Sequence, residues 1–361
     1  MSIRKRLGDT VSACVKRHGK SETETSQTRP AEKPGSLTRR NLVKTLAAAP
    51  ILGGLLPGVA RAAGGDGAQY EVDGISGATP KDFEYTDIGE LEGELSKGRI
   101  GDLELSRMLL GGNMMGGWAH SRDLIYVSDL MQNYNTDRKV FETLRLAELA
   151  GINTILTNPV AIDVINRYWD EEGGAIQFIS DCGGATLLEG VQRSIDGGAQ
   201  ACFTHGGMAD TLAEQGDTDT IGEAVELIRE HGVPAGIGAH KLETLEACVD
   251  AGIIPDFWMK TFHKSSYWSY TPQYEHDNVW DLDPEATAAY MEGLEQPWIA
   301  FKILAAGAVP PDQAFRWAFE NGADFICVGM FDWQVVDNMN LAAEVLGGPI
   351  ERTRPWRAAL A

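Results

Sequence analysis

Residues 241–260, KLETLEACVDAGIIPDFWMK, contain the pattern that decides the fold of this chain. An amphipathic stretch, Lys241–Ala251, is followed by Gly252 and then by the short apolar run Asp256–Lys260. A glycine at this position supplies the left-handed backbone that ends a helix and directs the chain into a strand. The segment is therefore predicted to be a helix, a turn and a buried strand, which is the repeating element of an α/β fold.

The same alternation of helix and strand recurs along the chain. Glycine also separates helix from strand at Gly151, Gly198 and Gly322. Eight apolar runs are predicted to be strands: Ser106–Gly111, Asn153–Thr157, Ile176–Ser180, Ala201–Thr204, Pro234–Gly238, Asp256–Lys260, Trp298–Lys302 and Asp324–Val328. Eight strand–helix units in about 250 residues indicate an α/β fold of the (β/α)8 TIM-barrel type. An open doubly wound sheet is the alternative, but no GxGxxG motif follows the first strand.

The first 62 residues differ in charge from the rest of the chain. They carry 12 Lys+Arg and 4 Asp+Glu, whereas the remaining 299 residues carry 19 and 48, a net charge of −29. The pair Arg39-Arg40 precedes an apolar run, Thr45–Val59, and a small-x-small pattern ends at Ala62. This pattern closely resembles a cleavable twin-arginine signal, and the resemblance implies export by the twin-arginine machinery to the periplasm or the cell exterior. The apolar run is too short to span a membrane.

Composition divides the chain into four segments. Residues 1–62 are predicted to be the signal peptide, 63–104 a linker with an irregular N-terminal segment, 105–345 the TIM-barrel catalytic domain, and 346–361 a C-terminal tail. The acidity of the body argues against a nucleic acid or an anionic membrane as partner, because phosphate binding requires clustered Lys and Arg. A small-molecule substrate is the expected partner.

Polar side chains concentrate where the predicted strands end. In a (β/α)8 barrel the reactive groups lie at the C-terminal ends of the strands. Asp181, His205 and His240 follow the third, fourth and fifth strands, and imidazole with carboxylate suits Zn, Mn, Fe or Ni. One hypothesis is therefore a divalent-metal site that polarises a carbonyl or enediolate oxygen. The alternative is that these side chains hydrogen-bond a substrate without a metal.

Two lysines lie within the apolar sixth and seventh strands. Burial of Lys260 favours the free amine by lowering its pKa, and Lys302 in the next strand would add to the effect. Asp181, Lys260 and Lys302 together resemble the arrangement in deoxyribose-phosphate aldolases. That resemblance implies a Schiff base on Lys260, with Lys302 and Asp181 moving protons. The alternative is that both lysines bind strand-end carboxylates or an anionic substrate.

Two further resemblances concern the fold. Segments 105–112 and 147–154 resemble the opening of aldo/keto reductase barrels, but the second strand ends in Asn158-Pro159 and no DxxxxY element follows. The resemblance therefore implies a related barrel without the reductase tetrad, and no nicotinamide cofactor is expected. A group of exported, uncharacterised bacterial barrel proteins is similar in segments 237–240, 256–261, 302–308 and 327–332. That similarity supports the fold and implies no reaction.

The loop after the sixth strand, residues 261–283, is rich in aromatic residues. Its Trp268 and Tyr270, with polar neighbours, suit the C–H face and the hydroxyls of a sugar or another polyol. Asn113, His120 and Asn158 at the rim complete the predicted substrate-binding set. The alternative is that the aromatic residues close the barrel mouth or an oligomer interface.

These features predict an exported barrel lyase or isomerase that acts on a sugar-derived or other carbonyl-bearing small molecule with a divalent metal. Lys260, His263 and Lys302 would then supply acid–base groups or bind an oxyanion. Two alternatives remain open: a Schiff-base aldolase that uses Lys260, and a barrel without catalytic activity that binds carbohydrate.

Overall fold

A computed structural model of the protein describes residues 87–118, 120–121, 124–271 and 278–358. Its strands are β1 Lys97–Ile100, β2 Leu103–Ser106, β3 Met108–Gly111, β4 Thr154–Thr157, β5 Gln177–Ser180, β6 Ala201–Thr204, β7 Ala235–Ala239, β8 Phe257–Thr261, β9 Trp298–Phe301 and β10 Phe325–Gly329. The last eight form a closed parallel barrel in chain order, in which β10 pairs with both β9 and β3. Each barrel strand matches a predicted strand within two residues, so the TIM-barrel prediction is confirmed.

Helices follow the barrel strands in sequence. They are α1 Tyr126–Tyr134, α2 Asp137–Leu149, α3 Ile162–Glu172, α4 Leu187–Asp196, α5 Gly206–Glu214, α6 Thr218–Glu230, α7 Leu242–Asp250, α8 Pro284–Glu292, α9 Pro311–Glu320 and α10 Val335–Gly347. The four glycines predicted to end helices, Gly151, Gly198, Gly252 and Gly322, all have φ between 75° and 97°. The sequence therefore marked these helix ends correctly, because an L-residue is strained in this conformation.

Successive side chains of each barrel strand point alternately into the lumen and toward the helices. The lumen is filled by Leu109, Leu156, Ile179, Phe203, Phe257, Met259, Ile299 and Phe325. Their neighbours in sequence form the helix-facing core, which includes Leu110, Ile155, Phe178, Ile237, Trp258, Trp298 and Ile326. On β7 the lumen positions are glycines, and a Cβ on Gly236 would approach the Phe257 ring to 2.5 Å. These glycines therefore make room for the aromatic side chains that fill the barrel.

The N-terminal end of the barrel is closed by the β1–β2 hairpin and by the C-terminal segment. Ile100, Leu105 and Ala358 are buried in the same cluster as the lumen side chains. Arg107 donates to the carbonyl oxygens of Asp324 and Ala358, each at 2.9 Å. The segment predicted to be irregular thus contains a hairpin, and the predicted tail packs under the barrel. This closure leaves the opposite, C-terminal end as the mouth.

Among the described residues, no helix is both long enough and apolar enough to cross a membrane. The predicted signal peptide, residues 1–62, lies outside the described residues, as does the linker up to residue 86.

Candidate active site

The candidate site lies at the C-terminal end of the barrel and is centred on His240, the first residue after β7. Its Nδ1 is 2.8 Å from Asp210 Oδ2, and its backbone N–H donates to the same oxygen at 3.0 Å. Because a carboxylate only accepts, Nδ1 carries the proton and Nε2 carries the lone pair. Within the part of the chain that the structure describes, Nε2 makes no hydrogen bond. An imidazole oriented by a carboxylate in this way has the geometry of a general base.

Burial sets the protonation states of this pair. Burial by itself would raise the pKa of Asp210, but hydrogen bonds from His240 and from Thr244 Oγ1, which lies 2.7 Å away, hold that pKa below its usual range. Burial lowers the pKa of His240 to about 4, and the positive charge of Lys302 contributes to the lowering. His240 is therefore neutral at neutral pH beside an ionised carboxylate, which is the state that a base requires.

The indole of Trp280 brings three basic side chains together at the mouth. Its centroid lies 4.8 Å from the His240 ring and 4.8 Å from the His120 ring. Lys302 Nζ is 3.5 Å from the same centroid and also contacts His120 Nε2. An ammonium over an indole face is held by the ring quadrupole, so Trp280 fixes the Lys302 charge close to His240.

Among the described residues, four non-glycine residues after β5 and β9 have strained backbone conformations with positive φ: Cys182, Lys302, Ala305 and Ala306. Lys302, directly after β9, has φ 58°, and Cys182, two residues after β5, has φ 53°. A non-glycine residue in this region costs about 1–3 kcal/mol and persists only where surrounding contacts impose it, most often at functional sites. The strain at Lys302 is consistent with a backbone that is shaped to place its ammonium.

Asp181 and His205 follow the neighbouring strands β5 and β6. Asp181 Oδ1 accepts from Asn158 Nδ2 at 3.0 Å and from the Gly183 N–H at 2.9 Å. Burial raises the pKa of Asp181, and His205 opposes that rise. His205 also contributes to the low pKa of His240. The two pairs, Asp181 with His205 and His240 with Asp210, therefore form one electrostatically connected group.

The predicted metal ligands, Asp181, His205 and His240, follow three neighbouring strands, and a metal at this position stays a prediction. Among the described residues, no group of three or more His, Cys, Asp or Glu side chains is arranged to hold a metal ion. One ring nitrogen of His240 bonds to Asp210, and one oxygen of Asp181 accepts from Asn158.

Lys260 lies on the helix-facing side of β8, in line with Trp258, and is fully buried. Its Nζ donates to the carbonyl oxygens of His240 (2.8 Å) and Thr261 (2.9 Å) and lies 3.7 Å from Asp281 Oδ2. This placement argues against the predicted Schiff base, because the amine is outside the lumen and is already bound to protein oxygens. Lys260 instead fixes the backbone that carries His240.

His263 is fully buried. Its Nδ1 donates to the Lys264 carbonyl at 3.0 Å, and its Nε2 accepts the N–H of Trp280 at 2.9 Å and that of Asp281 at 3.1 Å. Burial lowers its pKa to about 4. Both nitrogens are thus used by the backbone, so His263 positions Trp280 and is not placed to exchange protons with a substrate.

The remaining predicted binding residues differ in their placement. Asn113, after β3, is exposed at the mouth. Trp268 is 71% exposed, whereas Tyr270 donates its hydroxyl to the Leu282 carbonyl at 3.0 Å and packs against Tyr267. Asn113 and Trp268 are accessible to a ligand, and Tyr270 stabilises its own loop.

Sequence reasoning missed two members of the site. Asp210 lies on α5, 30 residues before its partner His240, and no local pattern links the two. Trp280 is one of several aromatic residues in the loop 261–283, and nothing in the sequence sets it apart. Two hydrogen bonds hold its backbone at the mouth. The Thr261 hydroxyl donates to the Trp280 carbonyl at 3.0 Å, and His263 Nε2 accepts the Trp280 N–H.

The site is thus an acid–base cluster at the mouth of a TIM barrel, and comparison with known proteins adds no reaction to it. No family model and no curated protein matches the chain. A candidate aldo-keto reductase from Pseudomonas aeruginosa has a similar structure, with 17% identity, a TM-score of 0.48, and coverage of 70% of this chain and 94% of its own. A 3-keto-L-gulonate-6-phosphate decarboxylase from Vibrio cholerae has 15% identity and a TM-score of 0.34, and covers 54% of this chain and 86% of its own. At these identities the likeness concerns the fold alone.

Proposed function

We propose that the barrel is an enzyme, a lyase or isomerase, that moves a proton at the carbon next to a carbonyl group. The observation that carries this proposal is the hydrogen bond of 2.8 Å between His240 Nδ1 and Asp210 at the barrel mouth. It leaves a neutral imidazole with its Nε2 lone pair available for a substrate. General bases of this kind contribute about 10²–10⁴-fold to rate.

In the proposed step, His240 Nε2 takes a proton from the α-carbon of the substrate. The electron pair of the broken C–H bond forms a carbon–carbon double bond, and the carbonyl π pair moves onto oxygen to give an enolate. The ammonium of Lys302 offsets the charge that develops on this oxygen. The imidazolium of His240 is stabilised at that moment by the Asp210 carboxylate.

Proton return completes either reaction. If the α-carbon carries a hydroxyl, the intermediate is an enediolate: the hydroxyl loses its proton, its electron pair forms the new carbonyl, and a proton is added to the former carbonyl carbon, which gives an isomerase. If the β-carbon carries a leaving group, the oxygen electron pair re-forms the carbonyl, the carbon–carbon double bond shifts to the α–β position, and the leaving group departs with its bonding pair and is protonated, which gives a lyase. Asp181 suits the role of acid, because burial raises its pKa and keeps the carboxyl protonated to a higher pH than usual.

Solvent deuterium exchange tests the proposal without knowledge of the product. The protein would be incubated in D2O with a panel of aldoses, ketoses and 2-oxo acids, and loss of the α-proton signal would be followed by NMR. We expect exchange with at least one compound. The exchange rate with His240→Gln should be lower by about 10²-fold or more, because the base is lost. His231→Gln is the matched control, since His231 is exposed directly after α6 and its ring bonds to the Leu227 carbonyl. Exchange with none of the compounds, or full exchange by His240→Gln, would sink the proposal.

Export is a second part of the proposed function. It is supported by the Arg39-Arg40 pair, the apolar run and the small-x-small pattern that ends at Ala62. The barrel would then act in the periplasm or outside the cell.

A further inference from the structure

Two histidines at the mouth are oriented by the same helix, α5, which begins directly after β6. His205 caps this helix: its Nδ1 accepts the backbone N–H of Met208 at 3.4 Å, a donor shared with the His205 carbonyl oxygen at 3.0 Å. His240 bonds to the same helix, because its Nδ1 donates to Asp210 at 2.8 Å. The two nitrogens of an imidazole lie on opposite sides of Cε1. The Nε2 atom of each ring therefore faces away from its partner on α5.

The bonds at Nδ1 fix opposite proton positions in the two rings. An N–H on Nδ1 of His205 would point at the N–H of Met208, so this nitrogen carries the lone pair and Nε2 carries the proton. In His240 the acceptor Asp210 keeps the proton on Nδ1, and Nε2 carries the lone pair. Over the described ranges of the chain, the ring of His205 makes no further hydrogen bond, and the residue is partly exposed. One helix thus presents an N–H donor beside a base.

The two rings are close enough to act on one small molecule. A Cβ on Gly207 would lie 3.4 Å from Cε1 of His205 and 4.0 Å from Cε1 of His240. Glycine at this position therefore leaves room for both imidazoles around one point. A carbonyl compound carries a hydrogen-bond acceptor, its oxygen, close to the C–H bond of the neighbouring carbon. A donor and a base at a short separation match these two groups.

We infer that Nε2–H of His205 donates a hydrogen bond to the carbonyl oxygen of the substrate whose α-proton His240 removes. This inference rests on the proposed function and adds a second catalytic residue to it. As the C–H bond breaks, negative charge collects on the carbonyl oxygen, and a hydrogen bond to that oxygen becomes stronger. The proton of His205 stays on Nε2 in this step, since the α-proton goes to His240 and the electron pair to the oxygen. Loss of one such donor lowers the rate by about 10²–10³-fold.

Two substitutions separate the donor role of His205 from its capping role. Glutamine places its amide N–H near the position of Nε2, whereas asparagine places its amide oxygen near the position of Nδ1 and is a preferred N-cap residue. His205→Gln therefore keeps the donor and loses the cap, and His205→Asn keeps the cap and loses the donor. In the deuterium-exchange assay, His205→Asn should be slower than the unsubstituted protein by about 10²-fold or more, and His205→Gln by about tenfold or less.

Thermal unfolding of the same variants measures the cap. His205→Gln should melt at a lower temperature than His205→Asn, which is the reverse of their order in exchange rate. Thr136→Ala is the matched control, because Thr136 caps α2 through a bond of the same length, 3.4 Å, from the N–H of Lys139. It should lower the melting temperature and leave the exchange rate unchanged. A purely capping role predicts instead that exchange rate and melting temperature fall together in His205→Gln.

A readout without turnover is the position of the ring protons. Long-range ¹H–¹⁵N NMR spectra of protein labelled with ¹⁵N-histidine show which nitrogen is protonated, and His205→Asn assigns the signals of His205. We expect the proton on Nε2 of His205 and on Nδ1 of His240. A proton on Nδ1 of His205, which a metal bound through Nε2 would require, would overturn the inference.

The exchange assay distinguishes failure of this inference from failure of the proposed function. If the unsubstituted protein exchanges no compound of the panel, the proposed function fails. If exchange occurs and depends on His240, but His205→Asn is as fast as the unsubstituted protein or faster than His205→Gln, this inference alone fails.

Discussion

Replacing Lys260 by Met tests whether this lysine is a nucleophile or a buried positioning cation. Methionine fills a similar volume without a charge, so the substitution leaves no large cavity. In the structure Lys260 Nζ donates to the His240 carbonyl (2.8 Å), the Thr261 carbonyl (2.9 Å) and the Thr261 hydroxyl (3.1 Å). It also lies 3.7 Å from Asp281 Oδ2, which has no hydrogen-bond partner among the described residues.

The expected loss of unfolding free energy follows from these contacts. Removing one partner of a buried ion pair costs about 3–5 kcal/mol, because the other charge stays buried without compensation. This is a large share of the roughly 5–15 kcal/mol that stabilises a typical domain. A lysine that reached an open lumen would leave no buried charge behind, and its replacement would cost about 0.5 kcal/mol or less.

The loss of unfolding free energy in Lys260→Met should also depend on pH. Burial raises the pKa of Asp281, and the charge of Lys260 is the main effect that opposes this rise. Without Lys260 the pKa rises further, and the folded state takes up a proton that the unfolded state does not. Stability that depends on a raised carboxyl pKa is present at low pH and is lost as the pH rises. The Lys260→Met deficit should therefore shrink as the pH falls from about 7 toward about 4.

Urea unfolding followed by circular dichroism measures this deficit at both pH values. Lys264→Met is the matched control, since Lys264 is only partly buried and should cost about 0.5 kcal/mol or less. The double variant Lys260→Met with Asp281→Asn should recover part of the loss, because it removes the stranded carboxylate. A deficit below about 1 kcal/mol at neutral pH, or a borohydride-trapped carbonyl adduct on Lys260, would refute the reasoning.

Two further predictions concern acid stability and export. The pKa values of His240 and His263 are about 4 in the folded protein against about 6.5 when unfolded, so the unfolded state binds more protons between these values. The unfolding free energy should fall by up to about 3 kcal/mol per imidazole as the pH drops through this window. His263→Gln should flatten the decline, and an unchanged slope would contradict the assignment. Replacing Arg39 and Arg40 by Lys should leave an uncleaved precursor in the cytoplasm, and normal export of that variant would end the twin-arginine hypothesis.

The fold could be predicted from local signals that each strand and helix carries. Asp256–Lys260 was predicted as a strand, and β8 spans Phe257–Thr261. The largest difference between predicted and observed strand bounds occurs at the first barrel strand, which was predicted to begin at Ser106 and begins at Met108. There Arg107 separates β2 from β3, because its backbone N–H donates to the Ser96 carbonyl and its side chain to the C-terminal segment. Contacts between distant segments of the chain decided this break, so the local pattern could not show it.

From the sequence, only those site residues that come directly after a strand could be predicted. His205 and His240 were placed together because the ends of neighbouring parallel strands meet at one edge of the barrel. The role of each histidine depends on contacts that no local sequence pattern shows. Asp210 on α5 bonds to His240, whereas His263 Nε2 accepts the backbone N–H of Trp280. A histidine at a strand end can therefore be a base or a backbone support, and only its partners decide between them.

Strand alternation explains why Lys260 was assigned a nucleophilic role and why the structure favours another. Both faces of a barrel strand are buried, so the apolar run Phe257-Trp258-Met259 shows no alternation of polarity from which the lumen side could be assigned. Phe257 and Met259 fill the lumen, which assigns Lys260 to the helix side. A lowered lysine pKa accompanies burial on either side, because desolvation has no direction. What separates a nucleophile from a structural cation is the partner: a carboxylate such as Asp281 on the helix side implies a fixed ion pair, whereas an open lumen implies a reactive amine.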